Sequence, residues 1–380
     1  STDGKGGTRQ WSQAGWVGKG WSLQNGYVAL NRLPGVDSPA RYYSLVFDGQ
    51  SFDLVRGAAL VESPSLSNPT HWEWRATDES FIKVRVQGNG VSYGNQGSMG
   101  KGGYEGANLE TTYPRYKWQV WTKSGVRYEF EEDMWQGYTD CALDRRGNFM
   151  EAYKWLLTRV EDTHGNRINY TYGRYSEWKD FCTSYNNRKA GRIDGDMWPT
   201  EITWGGNWDT GGNMRTPHRY KVEFQSSSRS IDTQSEWADN AMTPASQETR
   251  RLDAIKVLSM QAAAWELVRQ YNLTYETGTD PNAYLLSDYS VDNQNGTYGK
   301  DYNTKKLTLK QIQRVGSDSS TALPPITFTY HPWRLTGYYP TGLWNRLQQV
   351  DNGMGGTITF AYDNIGSVLE NSEGVVRGYA

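Results

Sequence analysis

Three tryptophans, Trp198, Trp204 and Trp208, share a stretch with the amides of Asn207 and Asn213. That combination can bind sugar, because a pyranose stacks its apolar face on an indole while amides take its hydroxyls. The same rings can equally line a core or a wall, the ordinary use of large aromatic side chains. Glu129, Glu131, Glu132 and Asp133 put four carboxylates within five positions. A glycosidase needs two carboxyl groups roughly 5 to 9 Å apart across a sugar, a separation that sequence does not fix, and the run reads more simply as a solvated turn.

The other reactive residue types fall into no catalytic or ligating pattern. His71, His164, His218 and His331 are far apart, without the His-x-x-x-His or Cys-x-x-Cys spacing of a zinc site. His164 stands two residues after Asp162, where a surface hydrogen bond within a turn accounts for it. The two cysteines, Cys141 and Cys182, are either a disulfide formed in an oxidising compartment or two unpaired thiols. Gly100-Lys101-Gly102 lacks the P-loop order, since Asn95 stands where the first glycine belongs and Gly102 where Ser or Thr belongs. Asp292-Asn293-Gln294-Asn295-Gly296 misplaces its oxygens for an EF-hand loop. No cofactor and no metal is expected.

The elements that would position any such site are hairpins. Leu156 to Val160 and the alternating Ile168, Tyr170 and Tyr172 flank Asp162-Thr163-His164-Gly165-Asn166, whose glycine can take the positive φ of a tight return. Period-two alternation puts Ile168, Tyr170 and Tyr172 on one face and Arg167, Asn169 and Thr171 on the other. A lone hairpin is unstable in water, so others must pair with it. Degenerate copies follow. Pro199–Trp204 returns through Tyr220–Phe224 after a Gly/Asn-rich insertion, Arg251–Val257 through Trp265–Tyr275, Leu307–Val315 through Ile326–Tyr330, and Asn345–Asp351 through Thr357–Asp363. Their grammar is Leu/Ile-x-x-Val, a turn, then alternating β-branched and aromatic residues closing on Tyr or Phe, at an irregular period set by insertions in the turns.

Composition agrees. Of 380 residues 14% are aromatic, with 17 Trp and 41 Gly. The only passable helix lies within Ala241–Ala264, so the expected class is all-β, with one face built of large rings. Forty-two acidic against forty basic side chains leave no field that would draw the chain to nucleic acid, and no apolar run nears the roughly 18 residues of a membrane span. Ser1–Gly7 reads as a flexible polar leader. Gln10–Arg32 reads as strands with close backbone approaches at its glycines, Asp48-Gly49 and Ser124-Gly125 as hairpin turns, and Gln87–Gly106 as a surface loop.

The pattern from Leu157 to Tyr172, with its echo from Leu347 to Tyr362, resembles the tyrosine-aspartate repeats of bacterial RHS-repeat proteins, related to Tc toxin shells and teneurins. Gly18-Lys19-Gly20-Trp21-Ser22-Leu23 with Gly26–Arg32 is similar to the segment that opens such shells. The resemblance implies an elongated antiparallel β-hairpin repeat sheet, with a leader at 1–14, a shell-opening β region at 15–150 and divergent hairpin repeats at 151–380. It implies a secreted or cell-surface, non-catalytic wall enclosing a C-terminal effector or toxin of the same parent chain, with that effector and the self-cleaving aspartate motif beyond Ala380. The alternatives are an extracellular carbohydrate-binding or adhesive protein, with cell-surface glycans on Trp198, Trp204 and Trp208, and a polysaccharide-degrading enzyme.

Overall fold

In the computed structural model the described residues are 15–18, 20–23, 25–32, 41–60, 71–77, 81–87, 117–138, 149–181, 189–229, 249–276, 307–330, 335–336, 339–340, 346–362, 369–370 and 376–377. Their regular structure is antiparallel β throughout. Eight strands follow one another round a closed barrel: β1 (Tyr27–Arg32), β2 (Arg41–Phe47), β3 (Gln50–Leu60), β4 (His71–Ala76), β5 (Lys83–Gln87), β6 (Lys117–Trp121), β7 (Arg127–Tyr138) and β8 (Phe149–Glu161). Pairing of Tyr27 with Leu156, Val28 with Trp155 and Ala29 with Lys154 closes the ring. Closure removes the free edges that a hairpin stack of this length would otherwise expose.

Eight strands enclose a space just wide enough for side chains to fill. Here the alternation sends Val28, Leu45, Leu54, Val84, Val86, Val120 and Phe130 inward, around four packed rings. Tyr43 lies 5.0 Å from Trp74, 4.9 Å from Trp118 and 5.9 Å from Trp155, and the indoles of Trp118 and Trp155 are 5.7 Å apart. The barrel is therefore a packed core rather than a lumen. Asp48 and Gly49, at φ of 49° and 72°, make the two-residue turn expected between β2 and β3.

β8 belongs to two structures at once. Its last residues, Arg159, Val160 and Glu161, stay paired with Glu129, Tyr128 and Arg127 of β7 on one edge and, beyond the stretch that pairs with β1, take Asn169, Ile168 and Arg167 of β9 (Asn166–Phe181) on the other. From there the sheet runs on through β10 (Lys189–Trp208), the short β11 (Met214–Thr216) at the tip of β10, β12 (Tyr220–Ser228), β13 (Arg250–Gln261), β14 (Ala264–Tyr275), β15 (Leu309–Val315) and β16 (Ile326–Tyr330). A separate pair, β17 (Leu335–Thr336) with β18 (Tyr339–Pro340), precedes β19 (Leu347–Asp351) and β20 (Thr357–Thr359), which rejoin the sheet. β21 (Leu369–Glu370) pairs with β22 (Val376–Arg377). Barrel and ribbon thus form one 18-stranded sheet.

Four expectations change. Of the Ala241–Ala264 stretch sought as helix, residues 241–248 lie outside the described residues, and the rest is β13 and the start of β14, because Leu252 and Ala254 are buried while Arg251 and Asp253 beside them are not, a period of two. The carboxylate run is no turn: it lies inside β7, with Glu129 and Asp133 at 2% and 1% exposure. Before β1, Gly15–Trp21 forms consecutive tight turns rather than strand, Gly18 N–H donating to the Gly15 carbonyl (2.9 Å) and Trp21 N–H to that of Gly18 (3.1 Å). The Gly/Asn-rich insertion after Trp204 conceals a second Asp-Thr-x-Gly-Asn turn, Asp209–Asn213. It matches Asp162–Asn166 bond for bond: the aspartate N–H reaches the asparagine carbonyl (2.9 and 3.1 Å), and each fourth-position glycine has φ of 82°.

Candidate functional site

A backbone carbonyl buried where two strands diverge loses its ladder partner and must find another donor. In four hairpins of the ribbon the same side chain supplies it. The Tyr172 hydroxyl donates to the Leu157 carbonyl (2.6 Å), Tyr275 to Leu252 (2.7 Å), Tyr330 to Leu309 (2.7 Å) and Tyr362 to Leu347 (2.8 Å). The separations in sequence vary, yet the register does not. In all four hairpins the first ladder pair joins the residue two after the leucine to the residue three before the tyrosine: Arg159 with Asn169, Ala254 with Asn272, Gln311 with Thr327, Gln349 with Thr359. The next rung joins leucine plus three to tyrosine minus four, as Val160 with Ile168, Ile255 with Tyr271, Ile312 with Ile326 and Val350 with Ile358. Leu-x-x-Val and the closing tyrosine are thus two halves of one latch. Burial is the main reason that the Tyr172 and Tyr275 phenols are held above their ordinary pKa, which keeps them protonated donors.

The hairpin of β10 and β12 keeps the register without the latch. Its first pair is Glu201 with Glu223, which places Pro199 and Ser226 where leucine and tyrosine would stand. There Arg250 substitutes: its guanidinium donates to the Ser226 carbonyl (2.9 Å) and hydroxyl (3.2 Å) and lies 5.0 Å over the Trp198 ring. Trp198 in turn lies so close to Gly173 that a Cβ there would fall 2.6 Å from the indole.

The seam of latches is crossed by residues 15–18, 20–23, 25 and 26, which act as a strap. Leu157 N–H donates to the Gly26 carbonyl and Leu252 N–H to that of Trp16, both at 2.9 Å. Gly18 lies against the backbone of Leu309, where a Cβ would sit 3.2 Å from its nitrogen, and the Trp21 indole N–H donates to the Tyr330 hydroxyl (2.9 Å). Trp16 packs on Phe224 and Trp21 on Phe328, centroids 5.9 and 4.8 Å apart. The short motif before β1 therefore binds three latches that are far away in sequence.

Of the residues singled out by sequence, the three tryptophans have separate surroundings. Trp204 stacks on Tyr220 (5.6 Å, 26°), Trp208 lies between His218 (5.0 Å) and the Arg167 guanidinium (4.6 Å), and Trp198 lies under Arg250. His218 accepts from the Asn169 amide (2.8 Å), and burial chiefly holds its pKa below the ordinary value. Glu129 is surrounded by cations: Lys117 (2.8 Å), Arg127 (3.2 Å) and Arg159, with Gln119 donating to it as well. Burial pushes its pKa up, but Lys117, Arg159 and Gln119 bring it below the ordinary value. Glu132 pairs with Arg174 at 2.9 Å. Asp162 accepts the N–H groups of His164 (2.8 Å) and Asn166 (2.9 Å), the role expected of an aspartate in this turn. Among the described residues no group of His, Cys, Asp and Glu could hold a metal, and no helix is long and apolar enough to cross a membrane. Cys141, Cys182, His331, Gly100–Gly102, Asp292–Gly296 and residues 88–106 of the glycine-rich loop lie outside the described residues.

Sequence reasoning found both halves of the latch without joining them, and it missed the strap. Counting from each end of the hairpin inward, instead of along the chain, would have revealed the constant offsets.

Fold and seam define an all-β protein of latched hairpins that grow from a closed eight-stranded barrel. No protein-family profile and no curated protein matches the sequence. Among solved structures it is similar to the crystal structure of TcdB2-TccC3 (TM-score 0.46, 13% identity, 84% of this chain and 15% of that one). It is similar also to the N-terminal domain of the effector protein SpvB from Salmonella typhimurium strain LT2 (TM-score 0.45, 14% identity, 80% and 90%). A third likeness is to the Photorhabdus luminescens Tc holotoxin pore (TM-score 0.45, 13% identity, 84% and 14%). The chain spans about 15% of the length of the first of these.

Proposed function

We propose that this chain is a non-catalytic wall segment of a secreted RHS-type shell, whose hairpin sheet encloses an effector carried by the same parent chain. The observation that supports this reading best is the constant latch register across hairpins with unequal loops, at Leu157–Tyr172, Leu252–Tyr275, Leu309–Tyr330 and Leu347–Tyr362. A module whose bonding is indifferent to loop length can be repeated, so a wall grows from it hairpin by hairpin. Two further features favour containment over catalysis. The barrel interior is filled by rings, and the buried Glu129 carboxylate is engaged by Lys117, Arg127 and Arg159 rather than facing a second acid.

Electron microscopy of the parent chain tests the reading. A closed hollow shell with an effector protected from protease inside it is the expected result. A solid body without a lumen would overturn it.

A further inference from the structure

The strap covers three latches and stops short of the fourth. Leu157, Leu252 and Leu309 are 5%, 1% and 0% exposed, whereas Leu347 is half-buried. The apolar face continues there with less cover: Leu347 and Val350 pack against the Phe328 cluster, while the residues beyond them on β20 are exposed. Phe328, Val350 and Ile358 form one rung across β16, β19 and β20, so they share a face. Phe328, under Trp21, is 8% exposed, while Ile358 is 61% and Phe360, two residues on and on the same face, 37% exposed. The uncovered patch is therefore continuous with the surface that the strap already binds.

We propose that the Leu347–Tyr362 hairpin carries a fourth copy of the strap site, and that it takes a turn-forming segment rich in glycine and tryptophan with the chemistry of Gly15–Trp21. The three occupied sites give the reason for that occupant. Strap carbonyls accept the leucine N–H at Leu157 and Leu252, glycine alone fits the approach at Leu309, and tryptophan rings cover Phe224 and Phe328. Phe360, two before Tyr362 as Phe328 is two before Tyr330, offers the next ring a floor of the same kind, with Ile358 beside it. The inference does not depend on whether the sheet encloses anything.

A fluorescent peptide of residues Gly15–Leu23, titrated into the intact chain and followed by anisotropy, tests it. Saturable one-to-one binding is expected, weakened at least tenfold by Ile358→Asp in the protein and abolished when both tryptophans of the peptide become alanine. Ile358 is exposed, so the variant should keep its fold, with an unchanged circular dichroism spectrum as the control. Absence of saturable binding overturns the proposal. So does binding that ignores Ile358→Asp but strengthens when the resident strap is loosened by Trp16→Ala, because the peptide would then be exchanging at the occupied sites.

Discussion

Replacing Tyr275 by phenylalanine removes one oxygen and leaves the ring's packing in place. That oxygen donates to the Leu252 carbonyl at 2.7 Å, between residues 6% and 1% exposed. A neutral hydrogen bond contributes about 1 kcal/mol net, but a buried carbonyl left unmatched costs about 1–3 kcal/mol because water cannot replace the lost donor. The same change at Tyr362 acts on the half-buried Leu347 carbonyl, where water can enter, so less than about 1 kcal/mol is expected. Native-state hydrogen exchange resolves the two, since local opening of one hairpin is read at its own amides. Tyr275→Phe should speed exchange in β13 and β14 by about 5- to 150-fold, and Tyr362→Phe should change β19 and β20 several-fold at most. If Tyr275→Phe left β13 and β14 as protected as before, or cost no more than Tyr362→Phe, the latch would be a geometric coincidence and not a fastening.

Gly165 and Gly212 hold the same place in matching turns, both at φ of 82°, but a Cβ on Gly165 would fall 2.0 Å from the Trp208 carbonyl oxygen, while nothing lies within 4 Å of one on Gly212. Gly212→Ala should therefore lower stability by the left-handed backbone cost alone, about 1–2 kcal/mol, and Gly165→Ala by at least twice as much in thermal unfolding. Ala262 and Ala263 turn β13 into β14 at φ of 43° and 71°, a conformation that suits Asn-Gly. The double change Ala262→Asn and Ala263→Gly should stabilise the chain by about 1–2 kcal/mol, read as a rise in thermal midpoint. Glu129 has its folded pKa below the ordinary 4.5, so its cations stabilise the fold fully above that pH and progressively less as acid protonates it. Glu129→Gln should accordingly lose stability at neutral pH and show a flatter decline below about pH 4.5 in acid titrations followed by tryptophan fluorescence.

Much of the ribbon is legible along the chain because its causes are local. Ile168, Tyr170 and Tyr172 alternate, Asp48-Gly49 and Gly165 supply positive φ, and Leu-x-x-Val marks the strand that each tyrosine will close upon. The reading fails where partners are remote. Glu129 is polar and sits among other acids, so it looks solvated until β6 and β8 bring Lys117 and Arg159 around it. Arg250–Gln261 contains good helix formers, yet pairing with β12 and β14 overrides that preference. The Trp198 ring looks available to a ligand until Arg250 and Gly173 close on it.

The all-β class and the repeating hairpin follow from the chain alone, because alternation and turn chemistry act over a few residues. Tertiary structure alone decided that β1 meets β8 to close a barrel, and that the strap lies across latches as far off as Tyr330. Those contacts join residues more than a hundred positions apart, and their specificity lies in backbone groups that every residue carries. An N–H left over at Leu252 and a glycine thin enough to pass Leu309 become a binding seam only once the strands that expose them have paired.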